Sequence, residues 1–268
     1  MSDQTARLRP ENINQYLDWL IQDRAVPATA LTPELYRQRL RLIADHIRNS
    51  SLWTELISEL TGWSDRYSID AGCTLFAFPF GDLVEKSFKS VLDKAFRTDI
   101  LYNPCWPDTP RRDQDWLVPD NWWRQINDLV RTQWVVKFLD GVTFLCDSLV
   151  SYFRGHDIHS RLVFHANDWG YYAAHVYFQP SVSVPFLSEV STITVELQVT
   201  TQLQEVIYPI THNHYERRRL VPRSAEQKWQ WQIDSPEFTV NYLGHMLHYM
   251  EGLIVKARRE GVPDVATG

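Results

Sequence analysis

The sequence predicts an α+β fold: a mixed β-sheet flanked by helices at its N- and C-terminal ends. Three observations carry this. Residues up to about 62 repeat apolar positions at helical spacing. Residues 74–200 hold short apolar or alternating runs separated by helical stretches. From 201 onward the helical pattern returns.

In order, residues 11–25 and 32–49 read as helices. Thr32-Pro33-Glu34 opens the second with a capping residue and then proline at the first helical position, and Leu40, Ile43 and Ile47 follow at helical spacing. A third helix covers 51–62. The apolar run 74–79 (TLFAFP) reads as a buried strand, which Gly81-Asp82 ends before a helix running through Arg97. Residues 99–118, polar and broken by prolines, form a long loop of the kind that is often functional. A strand at 131–138, a helix from Asp140 to about Phe153, and strands at 161–166, 171–179 and 191–200 come next. Helices at 201–219 and 236–260 close the chain, and Pro180, Pro185 and Pro222 mark loops between elements. The division expected is an N-terminal helical extension (1–70), a sheet-bearing domain (71–235), and a C-terminal helix and tail (236–268).

Composition narrows the function. A net charge of −6 gives the chain no general field that attracts nucleic acid, so an anionic substrate must meet local clusters. Two exist: Lys86, Lys89, Lys94 and Arg97, then Arg217, Arg218, Arg219 and Arg223; either also reads as a solvated helix face. The three cysteines are scattered without zinc-type spacing, as suits a reducing compartment. No apolar signal core and no run near the roughly 20 apolar residues of a membrane span is present, so the expectation is a soluble, cytoplasmic protein. Eleven Trp and twelve Tyr suit core packing, and also stacking against bases.

Five segments carry candidate chemistry. In 191–201 (STITVELQVTT), Val195, Leu197 and Val199 alternate with Thr194, Glu196, Gln198 and Thr200, so one strand face is apolar and the other sets a carboxylate beside an amide. A solvated strand face has the same pattern. In 170–178 (GYYAAHVYF), Tyr171, Ala173, His175 and Tyr177 share a face that suits a stacked base with His175 near its phosphate or ribose; a core strand reads alike. Lys86, Ser90 and Lys94, spaced by four, fall on one face of the expected helix, where lysines and the helix N-terminus would hold a triphosphate without any P-loop. Asp128 precedes a strand and could share Mg²⁺ with Glu196, since that ion takes one or two carboxylates plus phosphate oxygens and waters. His212 and Tyr215 are neighbours on the helix that begins at 201, in which Pro209 is expected to introduce a bend.

In this order and spacing the segments resemble the synthetase domain of the RelA/SpoT family across roughly 80–217, and the compact length and the run Gly-Tyr-Tyr-Ala-Ala-His are most like the small, toxic alarmone synthetases. The resemblance implies a nucleotidyltransferase-like synthetase fold. It implies ATP binding at a K-x-x-x-S-x-x-x-K segment (Lys86, Ser90, Lys94), with Mg²⁺ at Asp128 in NDLVR. Gly170, Tyr171 and His175 match a G-Y-x-x-x-H segment that stacks the acceptor base on Tyr171. Glu196, Gln198 and Thr201 match the strand bearing the essential Glu, and His212 and Tyr215 match an H-x-x-Y helix beside the acceptor. Glu196, Asp128 and Gln198 are thus the catalytic candidates, Asp128 and Glu196 the metal ligands.

The chain departs from the family where it carries Val84, Gln133 and Thr200 in place of basic residues, and Trp169 in place of an Asn. Arg131, two residues before Gln133, could stand in as an ATP-binding cation, as could Lys89 or Arg97 for the position of Val84. The reaction implied is transfer of pyrophosphate from ATP to a ribose 3′-hydroxyl. His175 and Arg217, Arg218 and Arg219 would meet the acceptor's phosphates. The acceptor expected is the 3′-CCA end of tRNA, in a toxin that would need a separate antitoxin. The alternatives are a free guanine or adenine nucleotide, giving (p)ppGpp or (p)ppApp, and a decayed fold that only binds. Oligomeric state is not legible.

Overall fold

The structure, a computed structural model, describes residues 8–111, 115–218 and 228–261, with side chains throughout except at 212–218 and 261. The chain divides into two compact units that interleave in sequence: Met1–Ser50, Leu83–Arg131 and Gln179–Glu196, then Ser51–Asp82, Thr132–Phe178 and Leu197–Gly268. The five-stranded sheet has the order β1-β2-β7-β4-β3, from Val84–Glu85 (β1), Val130–Val136 (β2), Ser160–Ala166 (β3), Tyr172–Phe178 (β4) and Val195–Thr201 (β7). A separate ribbon pairs Ser181–Val182 (β5) with Ser191–Thr192 (β6). The α+β class with flanking helices is as the sequence predicts. No helix among the described residues is long and apolar enough to cross a membrane.

In the first unit, α1 (Ile13–Asp23) starts at Asn12, whose side chain accepts from the Gln15 N–H. It buries Tyr16, Trp19 and Leu20, and the Tyr16 hydroxyl donates to the buried Asp99 at 2.6 Å. The Leu117 N–H donates to the same carboxylate, so Asp99 ties the 99–118 loop to α1. Helix α2 (Pro33–Arg48) does begin with proline, but Thr32 does not cap it: its hydroxyl donates to the Thr29 carbonyl instead.

The segment 82–97 differs from its expected single helix. Val84 and Glu85 pair antiparallel with Arg131 and Val130 as β1, and α4 (Phe88–Phe96) starts only after Ser87, whose Oγ accepts from the Ser90 N–H at 3.2 Å. Lys86 therefore lies before the helix, its N–H donating to the Leu129 carbonyl at 2.8 Å, and does not share a helix face with Ser90 and Lys94. Ser87 is a preferred capping residue, so the capping signal lay five residues beyond the Gly-Asp turn. The last residues of the unit's long loop lead into a one-turn helix, α5 (Trp122–Gln125).

In the second unit, α3 (Ser51–Ala71) runs well past residue 62, because Trp63 and Tyr67 continue the buried series Trp53, Leu56 and Leu60 across the unburdened Gly62. Residues 74–79 form no strand, only a bridge between Phe76 and Val136; Pro79 lacks the N–H that a ladder needs. Helix α6 (Leu139–Gly155) packs Phe153 flat on Phe178 of β4, with centroids 4.4 Å apart. The expected strand 191–200 is broken at Ile193 and Thr194, which separate β6 from β7. Helices α7 (Gln202–Arg218, with Pro209 inside it) and α8 (Pro236–Gly261) complete the unit.

One close approach sets where α8 lies. Gly170 opens β4 with φ +77°, and a Cβ there would stand 2.5 Å from the Asn241 carbonyl oxygen and 2.9 Å from the Gly244 Cα. Neither backbone can yield as a side chain would. Arg258 secures the far end of α8 through an ion pair with Asp140, which also accepts from the Tyr67 hydroxyl at 2.9 Å. Gly170→Ala is expected to lower the unfolding free energy by about 2 kcal/mol or more, read by urea titration. Gly72→Ala, at φ +66° with nothing within 4 Å of the new methyl, should cost only about 1 kcal/mol. Equal losses at the two positions would contradict the packing argument.

Candidate active site

The first unit contains a cluster built on one carboxylate. Asp128, in the turn before β2, receives Lys86 Nζ on one oxygen and Lys94 Nζ on the other, each at 2.7 Å. Lys86 arrives from the end of β1, and Lys94 from the last turn of α4. The two lysines named from sequence thus do converge, by a strand end and a helix rather than by one helix face. Tyr36 of α2 donates its hydroxyl to the Lys86 carbonyl at 2.7 Å, a contact across fifty residues that no local pattern announces.

Charge balance in this cluster is tight. Burial alone would push the Asp128 carboxyl up, but Lys94 and Lys86 outweigh it and bring it down to about 2. Burial lowers the Lys86 ammonium from its ordinary value; Asp128 works against this, while Lys94 and Arg131 add to it. Arg131 is therefore electrostatically part of the cluster. It stands directly across the ladder from Val84, the exposed position where the family pattern has a cation. Ser90 lies in the first turn of α4, its hydroxyl 2.8 Å from that of Ser87. Lys89 is exposed, and Arg97 pairs with Asp93 one turn earlier.

Glu196 belongs to this unit as well. It lies on β7 at 6% exposure, and only Gln198 of the seven strand residues is more than marginally accessible. The polar face of β7 is thus covered, not solvated. Burying a carboxylate is unfavourable unless it serves or is satisfied, which separates this strand from an ordinary amphipathic one.

The second unit holds the residues that the sequence pattern assigns to the acceptor. Tyr171, Gln198 and Thr200 line one cleft together with Gln133, Glu205 and Tyr208. His175, 8% exposed, stands between two tyrosines: Nε2 is 3.1 Å from the Tyr171 hydroxyl and Nδ1 3.2 Å from that of Tyr177. Its Nε2 thus orients Tyr171. Gln133, at another position where the family pattern has a cation, donates its amide to Glu205 at 2.7 Å, a neutral group satisfied by an acid. Glu205 and Tyr208 were not singled out from sequence; only their helical phase relative to Thr201 hinted at them. His212, Tyr215, Arg217 and Arg218 lie on α7 with side chains outside the described ones, and Arg219 and Arg223 lie outside the described residues.

Among the described residues no three of His, Cys, Asp and Glu gather as a metal site. Two carboxylates with phosphate oxygens suffice for Mg²⁺, and Asp128, held ionised by lysines that themselves prefer phosphate, has the right donor chemistry.

The depressed Asp128 carboxyl contributes stability that is present above its ordinary value near 3.8 and is lost as pH falls toward 2. The expected size is about 2 kcal/mol. Asp128→Asn should remove this acid limb from the stability profile. At pH 7 it should cost about 3 kcal/mol by leaving two lysines half-buried and unpaired. Identical acid limbs in variant and wild type, measured by urea unfolding, would refute the coupling.

No protein-family profile matches the sequence, and no curated protein sequence matches it. Solved structures do match. The chain is similar to small alarmone synthetase 2 from Bacillus subtilis at 14% identity and a TM-score of 0.50, over 84% of this chain and 99% of that one. It is equally similar to small alarmone synthetase 1 from Bacillus subtilis bound to its product pppGpp, at 16% identity and a TM-score of 0.50, over 86% of this chain and 95% of that one. At such identity the likeness speaks for fold alone, over nearly the full length of both neighbours: this chain has the fold of the small alarmone synthetases, the type its motifs resemble.

Proposed function

We propose that the protein is an ATP-dependent pyrophosphokinase that transfers the β,γ-pyrophosphate of ATP to a ribose 3′-hydroxyl. The observation that carries this is the convergence of Lys86 and Lys94 on Asp128. A carboxylate that holds two ammonium groups ready is a phosphate site in its resting state: an incoming triphosphate takes over the lysines and frees the acid. Ser90, in the first turn of α4, and Arg131 add a hydroxyl and a cation on the same side.

Asp128 and Glu196 are the residues that would hold Mg²⁺, which when bound neutralises charge on the transferring phosphates. Lys86, Lys94 and Arg131 hold the ATP phosphates. Tyr171, oriented through its hydroxyl by His175, offers a ring on which the acceptor base stacks, and Gln198 offers an amide beside it. The 3′-oxygen attacks the β-phosphorus, the bond from that phosphorus to the α-phosphate oxygen breaks, and AMP leaves. Glu196 accepts the 3′-hydroxyl proton. Positioning and charge neutralisation supply most of the rate in such transfers.

Two acceptors have specific support. The run Arg217, Arg218 and Arg219 favours the 3′ end of tRNA, whose phosphodiester backbone needs cations beyond the nucleotide pocket. Modified tRNA ends would halt translation, and such a protein would need a separate antitoxin. The neighbour crystallised with pppGpp favours a free purine nucleotide. That Gln133 is engaged by Glu205 argues that part of the family's phosphate clamp has moved to Arg131.

Glu196→Gln should lower transfer by about 10²–10⁴-fold without changing the circular dichroism spectrum; turnover like the wild type would sink the assignment. Incubation with γ-labelled ATP, Mg²⁺ and, separately, deacylated tRNA, GDP, GTP and AMP identifies the acceptor by the label it gains, and label on none would indicate a binding protein. Replacing Arg217, Arg218 and Arg219 by Ser should abolish labelling of tRNA, flatten its salt dependence and spare GDP. Equal loss for both acceptors would remove the tRNA reading.

A further inference from the structure

Adjoining the cleft beside Tyr171, the second unit forms a cavity of about 310 Å³, walled by α6, α7, α8 and strands β3, β4 and β7. Its walls are largely apolar, with Val142, Phe164 and Tyr172 among them. A cavity of roughly 150 Å³ already takes a benzene, so this one has room for a ring and a polar head. No described residue that lines it is Lys or Arg.

Three polar side chains in that wall lack partners. Glu251 of α8 is 3% exposed, and neither carboxyl oxygen has a hydrogen-bond partner. Gln204 of α7, 6% exposed, has an unpartnered Nε2. His248 lies one turn before Glu251, and its Nδ1 is likewise unpartnered while its ring stacks on Tyr172 at 3.7 Å and 3°. Burial pushes the Glu251 carboxyl up to about 7, with the nearby Thr201 hydroxyl drawing it the other way. Burial and His245 both lower His248, so it stays neutral and gives Glu251 no counter-charge. A buried acid with no cation beside it is costly and uncommon in a folded protein.

We propose that this cavity is a binding site for a small organic cation with a flat apolar body, an amine or amidine, whose charged head pairs with Glu251. A planar amidinium matches a carboxylate with two parallel hydrogen bonds. The rings of Phe164 and Tyr172 provide apolar walls and faces that attract a cation. The Gln204 amide N–H is left to donate to a carbonyl or hydroxyl on the same ligand. A phosphorylated compound is disfavoured, because Glu251 would repel it and no Lys or Arg among the described lining residues would meet its charge. Ala173, Thr200 and Gln204 line both this cavity and the cleft beside Tyr171, so occupancy reaches the base-side residues. The site itself does not depend on the pyrophosphokinase reading.

The test is calorimetric titration of the full chain at pH 8 with benzamidine, and with benzamide as its uncharged twin. One benzamidine per chain should bind, with benzamide at least tenfold weaker. Glu251→Gln should weaken benzamidine at least tenfold, and Val142→Phe, which fills the cavity and leaves the acid in place, should do the same. Absence of benzamidine binding, equal binding of benzamide, or binding unaffected in folded variants would overturn the proposal. The two wild-type titrations decide it even if a variant fails to fold, and none of these readouts uses transfer activity.

Discussion

The first unit depends on one shared charge. Asp128 closes a turn, and two ammonium groups from different elements meet on its two oxygens. Without it, Lys86 and Lys94 would repel each other at a half-buried location, and the end of β1 and the last turn of α4 would have no reason to converge. Tyr36 holds the backbone of Lys86 from α2, so the N-terminal helices take part in positioning the cluster. On the proposed reading, this arrangement is neutralised enough to fold in the absence of ligand, and a phosphate would compete with Asp128 for the lysines.

The second unit uses hydrogen bonds in place of paired cations and anions. His175 is held by two tyrosine hydroxyls, which leaves Tyr171 with a defined ring orientation before any base arrives. Preorganisation of this kind reduces the entropy lost on binding. Gln133 and Glu205 repeat the pattern where a cation would be expected. The cleft beside Tyr171 is therefore lined mainly by neutral polar groups with the acid Glu205, whereas the Asp128 cluster is built on charges.

Much of this was legible in sequence for a physical reason: alternation and spacing are local. The period-two pattern of 195–200 marked β7 and put Glu196 and Gln198 on one face; G-Y-x-x-x-H marked β4; and the order of basic, acidic and aromatic segments pointed to the synthetase fold. The errors arose where a long-range partner decides. Val84 and Glu85 become a strand only because Val130 and Arg131 lie opposite, so Lys86 left the expected helix. The run TLFAFP looks like a strand, but Pro79 and the single pairing at Phe76 leave it irregular. Tyr36 and Glu251 had no local signature, since their meaning comes from residues far along the chain.

Gly170 and Gly244 bear on how this sequence can diverge. They are far apart in the chain but meet backbone to backbone, and a Cβ on Gly244 would collide with the Gly170 carbonyl oxygen. The glycine of G-Y-x-x-x-H is therefore constrained twice, by its own left-handed conformation and by the last helix. A lineage can gain a side chain at one of these positions only if the helix slides or the turn reshapes. The recognisable signature in relatives of this protein should thus be a split one, with its second half on the C-terminal helix.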